Sequence, residues 1–134
     1  GKAEHMSSVK RIFRKQADGE ILILSPTANL SELELSYFDE EFRAVIQELE
    51  DAGYRHVVMD FEGTDYYGST ALGFFVKLWK RIRKVDGSMA FCNVSAHEQE
   101  VLRVTRLDTL WPVCTSREQA VEQLRQTGGS SPSD

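Results

Sequence analysis

Two cysteines, three prolines and no apolar run of membrane length leave this 134-residue chain few of the devices that mark secreted or spanning proteins. Cys92 and Cys114 have no second pair and no histidine at ligand spacing. Neither a disulfide framework nor a zinc site is therefore expected, no cofactor is implied, and a reducing cytoplasm fits best. The longest apolar runs, Ile21 to Leu24 and Ala71 to Val76, fall far short of the ~20 residues a spanning helix needs, and no secretory leader is expected. Basic excess is missing too. With 16 Lys and Arg against 21 Asp and Glu, a net charge of -5 and a pI near 5.2, the chain lacks the cationic surface by which duplex nucleic acid is normally held. What remains is ample for one core: 41% hydrophobic residues, including seven Phe, four Tyr and two Trp, in a length close to one domain of roughly 150 residues. Residues 1–7 are expected to be disordered or a tag remnant, 8–127 to form the domain, and 128–134 to be a disordered tail.

The hydrophobic pattern alternates between two periods. Val9 to Gln16 and Ile21 to Leu24 flank Asp18-Gly19, a hairpin signal, and Pro26 stops the second strand. Thr27 to Leu35 has no clean period and is read as a connector. Phe38, Phe42, Val45, Ile46, Leu49 and Ala52 then form a helical stripe, with Ser36 as the expected N-cap, Asp39 and Glu40 in the first turn, and Gly53 at the C-terminus. A strand is predicted over His56 to Phe61 and a helix over Ser69 to Val85, apolar at Ala71, Phe75, Leu78, Ile82 and Val85. Met89 to Val94 predicts a strand, and Ser95 with Glu98 a capping box opening a helix to about Thr105. Trp111 to Thr115 predicts the last strand, and Thr115 with Glu118 caps a final helix fading near Gln126. Strands separated by single helices imply right-handed crossovers. The fold class is α/β, a mostly parallel sheet of about five strands with about four helices and the first strand at an edge.

Ligands and partners of such sheets engage loops at the carboxyl ends of strands, which directs attention to Glu62 to Gly73. Gly63, four residues, then Gly68-Ser69-Thr70 has the spacing of a phosphate loop but lacks its lysine, so nothing reaches a terminal phosphate. A serine hydrolase needs G-x-S-x-G, and Tyr67-Gly68-Ser69-Thr70-Ala71 lacks the second glycine. His56 is expected a strand's length from Ser69, and His97 starts a different helix. A helix start gripped by a partner, or modified, is the remaining use. Leu72, Val76 and Trp79 widen the apolar arc of this helix on the side carrying Ser69, Gly73 and Lys80, and that stripe is expected to be a contact face. Packing is the expected fate of Trp79; for Leu72 and Val76, packing and contact stay open. Tyr66 and Tyr67 are expected to pack. The basic set Lys77, Lys80, Arg81, Arg83 and Lys84 is read as a solvated face able to steer an acidic partner.

The topology, together with Gly68-Ser69-Thr70-Ala71-Leu72-Gly73 after the strand Val57 to Phe61, resembles the STAS domain of anti-sigma-factor antagonists over about Val9 to Gln126. In that family the motif is typically D-S-[ST]-G-L-G, its first serine phosphorylated by a cognate anti-sigma-factor kinase. The resemblance implies a non-enzymatic regulatory domain with Ser69 as phosphoacceptor and Thr70 as second choice. It implies Gly68, Leu72, Gly73, Val76 and Lys80 as the partner-binding residues. The partners it implies are an anti-sigma-factor serine kinase or related regulator and a phosphatase, with no direct nucleic acid and no membrane. Gly68 stands where the family usually has Asp, and Ala71 where it usually has Gly. Ala favours the helix; the lost Asp removes a carboxylate that would cap it or orient the serine hydroxyl, a role for which Asp60 and Asp65 are spatial candidates. A constitutive, non-phosphorylated adaptor is the alternative on the same scaffold, and a small nucleotide-binding protein the alternative from another class.

Overall fold

The computed structural model describes residues 12–63 and 67–129. The expectations for residues 1–11, for Thr64, Asp65 and Tyr66, and for 130–134 lie outside the described residues. The hairpin forms as β1 (Phe13–Asp18) and β2 (Ile21–Pro26), with Asp18 paired to Ile21 and the turn made by Gly19-Glu20, one residue later than the sequence reading, Gly19 in the left-handed region at φ 63°. A single 3-10 turn, Leu30–Glu32, fills the connector, its start capped by the Asn29 carboxamide, which accepts from the Ser31 N–H at 2.9 Å. Then come α1 (Leu35–Ala52), β3 (His56–Asp60), α2 (Ser69–Arg83), β4 (Met89–Cys92), α3 (Ala96–Val104), a 3-10 turn at Leu107–Thr109, β5 (Val113–Cys114) and α4 (Arg117–Gly129). The strands lie in chain order, β1 antiparallel to β2 and every later pair parallel, as expected for this α/β class.

Strand alternation divides the core cleanly. Leu22 and Leu24, Val57 and Met59, and Met89 and Phe91 face one layer, against Phe38, Val45 and Leu49 of α1, Ala71, Phe74, Phe75, Leu78 and Ile82 of α2, and Leu102 of α3. Ile21, Ile23, Val58, Ala90 and Cys92 face the other, where α4 alone covers them with Ala120, Val121 and Leu124. Because consecutive right-handed crossovers step in one direction along the sheet, three helices share a face.

Several boundaries differ from the sequence reading. α1 begins at Leu35, with Glu34 in the cap position and no side-chain bond there, so Ser36 is helical rather than capping; its first turn carries no acid. Gly53 does end it, at φ 75°, donating to the Leu49 carbonyl. Val85 lies past the end of α2 and is exposed, because the chain turns away through Asp86-Gly87 after Lys84. Ser116, not Thr115, caps α4: its hydroxyl accepts from the Gln119 N–H at 3.1 Å, while the Thr115 hydroxyl donates to the Gln119 side chain at 2.8 Å. The helix runs to Gly129, beyond the expected end near Gln126. β5 keeps only two residues of the five expected.

Candidate functional site

Ser69 opens α2 just beyond the carboxyl end of β3, and both Ser69 and Thr70 are exposed. The cap position is Gly68, extended at φ -115° and ψ -165°, with no side-chain bond to the first turn. The cap residue itself thus offers no side-chain oxygen to the first N–H groups of α2, and the positive end of the helix dipole is presented at Ser69. One turn on stands Gly73, exposed, whose missing Cβ would meet nothing within 4 Å. A mid-helix glycine costs about 1 kcal/mol relative to alanine, and no intramolecular crowding requires this one.

Seen down α2, Ser69, Gly73 and Lys80 form an exposed ridge with an apolar flank on each side. On one flank Leu72, Val76 and Trp79 pack against the three-helix layer and are half-buried. The Trp79 ring sits 6.5 Å from that of Trp111, with the Arg83 guanidinium 5.9 Å over it. This apolar excess is packed along one side and half-exposed along the other, and the fully exposed ridge beside it is polar and glycine-bearing. On the other flank a cleft of about 390 Å³ runs between α2 and α1, lined by Leu35, Phe38, Phe42, Phe74, Ser69, Thr70, Gly73, Asp39 and Lys77. Leu35 is 62% exposed at its mouth. Lys77 bridges the rim, 3.8 Å from the Asp39 carboxylate and 4.5 Å over the Phe42 ring. The helical stripe marks Phe38 and Phe42 as core positions and does not by itself show the cleft; the signal for it is the three- and four-residue spacing of Leu35, Phe38 and Phe42 at the helix start.

Buried acids hold both ends of the loop that leads to Ser69. At its start, Asp60 is 1% exposed and accepts from the Glu62 N–H at 3.0 Å, the Asn93 carboxamide at 2.9 Å and the Arg117 Nε at 2.8 Å. Burial alone would raise its pKa, but these donors outweigh it and hold the carboxyl below the usual range. Asn93 takes the left-handed conformation, φ 56°, at this junction. Asp60 is therefore committed to Arg117 and Asn93 and does not replace a capping carboxylate at α2. At the loop's other end, Glu98 Oε2 accepts from the Tyr67 N–H at 3.3 Å, and the Tyr67 hydroxyl contacts the Glu98 carbonyl at 3.5 Å. Tyr67 is buried, as expected, its ring 5.0 Å from Phe61 and 5.2 Å from Phe75. Ser95 caps α3 by accepting from the Glu98 N–H at 3.3 Å, but the Glu98 carboxyl is turned to Tyr67 rather than completing the box. Burial raises the Glu98 pKa against the opposing bond from Tyr67.

The alternative chemistries find no support in this geometry. His56 begins β3 while Ser69 follows its far end; the imidazole is buried, and its Nδ1 accepts from the Ser88 N–H at 3.0 Å. The thiols of Cys92 and Cys114 sit at paired positions of β4 and β5 and are both free, burial pushing Cys92 up to about 12 with the Asp60 charge adding to it. Among the described residues no three His, Cys, Asp or Glu side chains converge on a metal position, and no helix is long and apolar enough to cross a membrane.

The sequence profile of the STAS domain matches residues 13–120. The candidate anti-sigma factor antagonist BtrV of Bordetella bronchiseptica is 32% identical over 86 residues, which cover 64% of this chain and 74% of that protein. A candidate anti-sigma factor antagonist from Thermotoga maritima superposes with a TM-score of 0.75 at 22% identity, covering 84% of this chain and 94% of the other. The phosphorylated form of the Bacillus cell fate determinant SpoIIAA superposes with a TM-score of 0.65 at 14% identity, over 84% of this chain and 99% of that one. At these identities the two structural likenesses speak for the fold.

Proposed function

This chain belongs to the STAS domain family, and we propose that it is an anti-sigma factor antagonist that binds a kinase-type anti-sigma factor through the start of α2 and is released by phosphorylation of Ser69. The observation that carries this reading is the ridge itself: an exposed serine on the first turn of α2, followed one turn later by an exposed glycine with open space above it, beside an apolar cleft. A glycine that costs helix stability without an internal need suits close approach by another backbone. Gly68, Gly73 and Lys80 form the contact ridge, with the half-buried edges of Leu72 and Val76 beside it; Thr70, at the cleft, is the second candidate acceptor.

The switch follows from elementary electrostatics. A phosphate on Ser69 brings roughly -1.5 to -2 charges to a helix N-terminus, where the N–H groups and dipole favour it, so the fold survives. A partner packed over that position must desolvate the dianion, which costs several kcal/mol unless it is met by cations. Phosphorylation therefore releases the partner, and a phosphatase restores binding. The domain acts as substrate rather than catalyst, in the cytoplasm. BtrV, named as a candidate antagonist, supports this reading, and the phosphorylated SpoIIAA structure shares the fold.

A phosphopeptide map of the protein from its native cells, with identification of co-purifying proteins, is the first test. Ser69→Asp is expected to abolish capture of the co-purifying partner and Ser69→Ala to retain it; equal capture by both refutes the switch. Gly68 favours a second reading, because it supplies no carboxylate to orient the serine hydroxyl. A partner bound in every growth condition with Ser69 unmodified would establish the constitutive adaptor.

A further inference from the structure

The loop entering α2 has one firm end and one soft end. At the firm end Asp60 receives three donors from three segments of chain: the Glu62 N–H, Asn93 and Arg117. Arg117 is itself braced by Gln16 of β1. At the soft end, two residues before Ser69, the Tyr67 N–H has one carboxylate oxygen, Glu98 Oε2, at 3.3 Å. The second oxygen, Oε1, is buried without a hydrogen-bond partner among the described residues. Glu98 is 2% exposed on α3, an element that makes no other part of the Ser69 ridge.

A buried carboxyl with one oxygen unpaired among the described residues is an expensive way to cap a helix whose cap Ser95 already supplies. The ring of Tyr67 is held by Phe61 and Phe75 whatever Glu98 does, so the carboxyl is not needed to bury it. What the carboxyl does fix is the direction of the backbone at Tyr67, and hence how Gly68 and Ser69 leave it. Gly68 adds no side-chain anchor; its carbonyl accepts from the Leu72 N–H at 3.0 Å within α2. Resting on the reading of Ser69 given above, we propose that Glu98 is a positioning residue for Ser69: its carboxyl, reaching from α3 to the Tyr67 N–H, sets the presentation of the phosphoacceptor and makes α3 part of the switch.

The test is amide hydrogen exchange and ¹H–¹⁵N NMR on the intact chain, needing no partner. In the unsubstituted protein the Tyr67 amide is expected to be protected; an unprotected Tyr67 amide overturns the proposal without any variant. Glu98→Leu, which keeps bulk and removes the acceptor, is expected to speed Tyr67 exchange roughly tenfold, the worth of one hydrogen bond. It should also move the Ser69 amide resonance while Val58 and Phe91 keep their protection. Glu98→Gln keeps an acceptor and is expected to restore both Tyr67 and Ser69. An unmoved Ser69 resonance in Glu98→Leu, or an equal loosening of Tyr67, Val58 and Phe91, overturns the proposal, the latter by showing that Glu98 serves the fold as a whole. Failure of the Ser69 reading shows up separately, as equal partner capture by Ser69→Asp and Ser69→Ala with the Tyr67 clamp intact.

Discussion

Replacing Gly68 by Asp tests whether the start of α2 lacks nothing but a capping side chain. The backbone there is extended, φ -115° and ψ -165°, a conformation open to any residue. A Cβ would stand 3.9 Å from the Cα and Cβ of Ser31, which is ordinary contact. Nothing steric therefore opposes the change. An aspartate at this position accepts from the N–H groups of the first turn and meets the helix dipole, while Gly is a few tenths of a kcal/mol poorer as a cap and Ala about 1 kcal/mol poorer. Gly68→Asp is thus expected to stabilise by about 0.5 kcal/mol and Gly68→Ala to destabilise by a similar amount. For a domain of this size, about 4 °C of Tm accompanies each kcal/mol, so the two variants should stand roughly 4 °C apart, with the native protein between them. Scanning calorimetry at low and high salt is the assay; the gap should narrow as salt screens the dipole. Both variants remove the same glycine entropy from the unfolded chain, so that term cannot produce opposite signs. Equal Tm values for Asp and Ala, or a gain in Ala, would refute the view that α2 starts uncapped. If the proposed switch holds, the same Asp variant should incorporate phosphate on Ser69 faster than the native protein when incubated with the kinase that modifies it.

Gly73→Ala should raise stability by about 1 kcal/mol, since its methyl meets nothing within 4 Å, and yet weaken partner capture; gain in Tm without loss of capture would remove Gly73 from the interface. Gly87→Ala should do the reverse of stabilising: its Cβ would lie 1.8 Å from the Arg55 carbonyl oxygen, so backbone must move. A loss of about 3 kcal/mol or more in urea unfolding is expected. Acid should weaken the fold in two steps. His56, whose burial and the Arg55 charge lower its pKa, favours folding when neutral, so its contribution is whole above about pH 6.5 and declines as pH falls below it. Asp60, held below the usual range, contributes fully above about pH 4 and is lost as pH falls through its folded value. Glu98 runs the other way, adding stability when protonated and losing it as pH rises through its raised value. Urea midpoints from neutral to acid pH, with His56→Asn removing the first step, check the order.

The sheet and its helices were readable because each element has a single dominant period. The uniformly apolar run of β2 marks a strand buried on both faces; that Leu22 and Leu24 face one layer and Ile21 and Ile23 the other follows from strand geometry in the folded sheet. The start of α2 was readable too, because Gly68-Ser69-Thr70 after a buried strand has few other uses. Residues serving two masters were not. Glu98 sits at capping-box spacing and so reads as a local helix device, whereas its carboxyl is spent on a loop 31 positions away. Phe42 falls in the helical stripe, yet it is half-buried and lines the cleft, edge-on to Phe74 at 6.3 Å with Lys77 over its ring. Trp79 was correctly expected to pack, while Leu72 and Val76 turned out to share its flank rather than the ridge. Short-range pattern reports whether a side chain is buried; it does not report which neighbour buries it.

The antiparallel placement of β1 settles a practical matter of attachment. Because Phe13 pairs with Pro26, the chain enters the sheet at the carboxyl end of β2, and the Phe13 ring stacks 5.5 Å from Phe74 of the cleft. α4 leaves from the same end but runs back along the far layer, bringing Arg125 to Asp18 at the hairpin turn. A reporter or affinity handle fused ahead of β1 would therefore crowd the Ser69 ridge, whereas one fused after α4 would project from the opposite pole of the molecule and leave the ridge free for immobilised binding measurements.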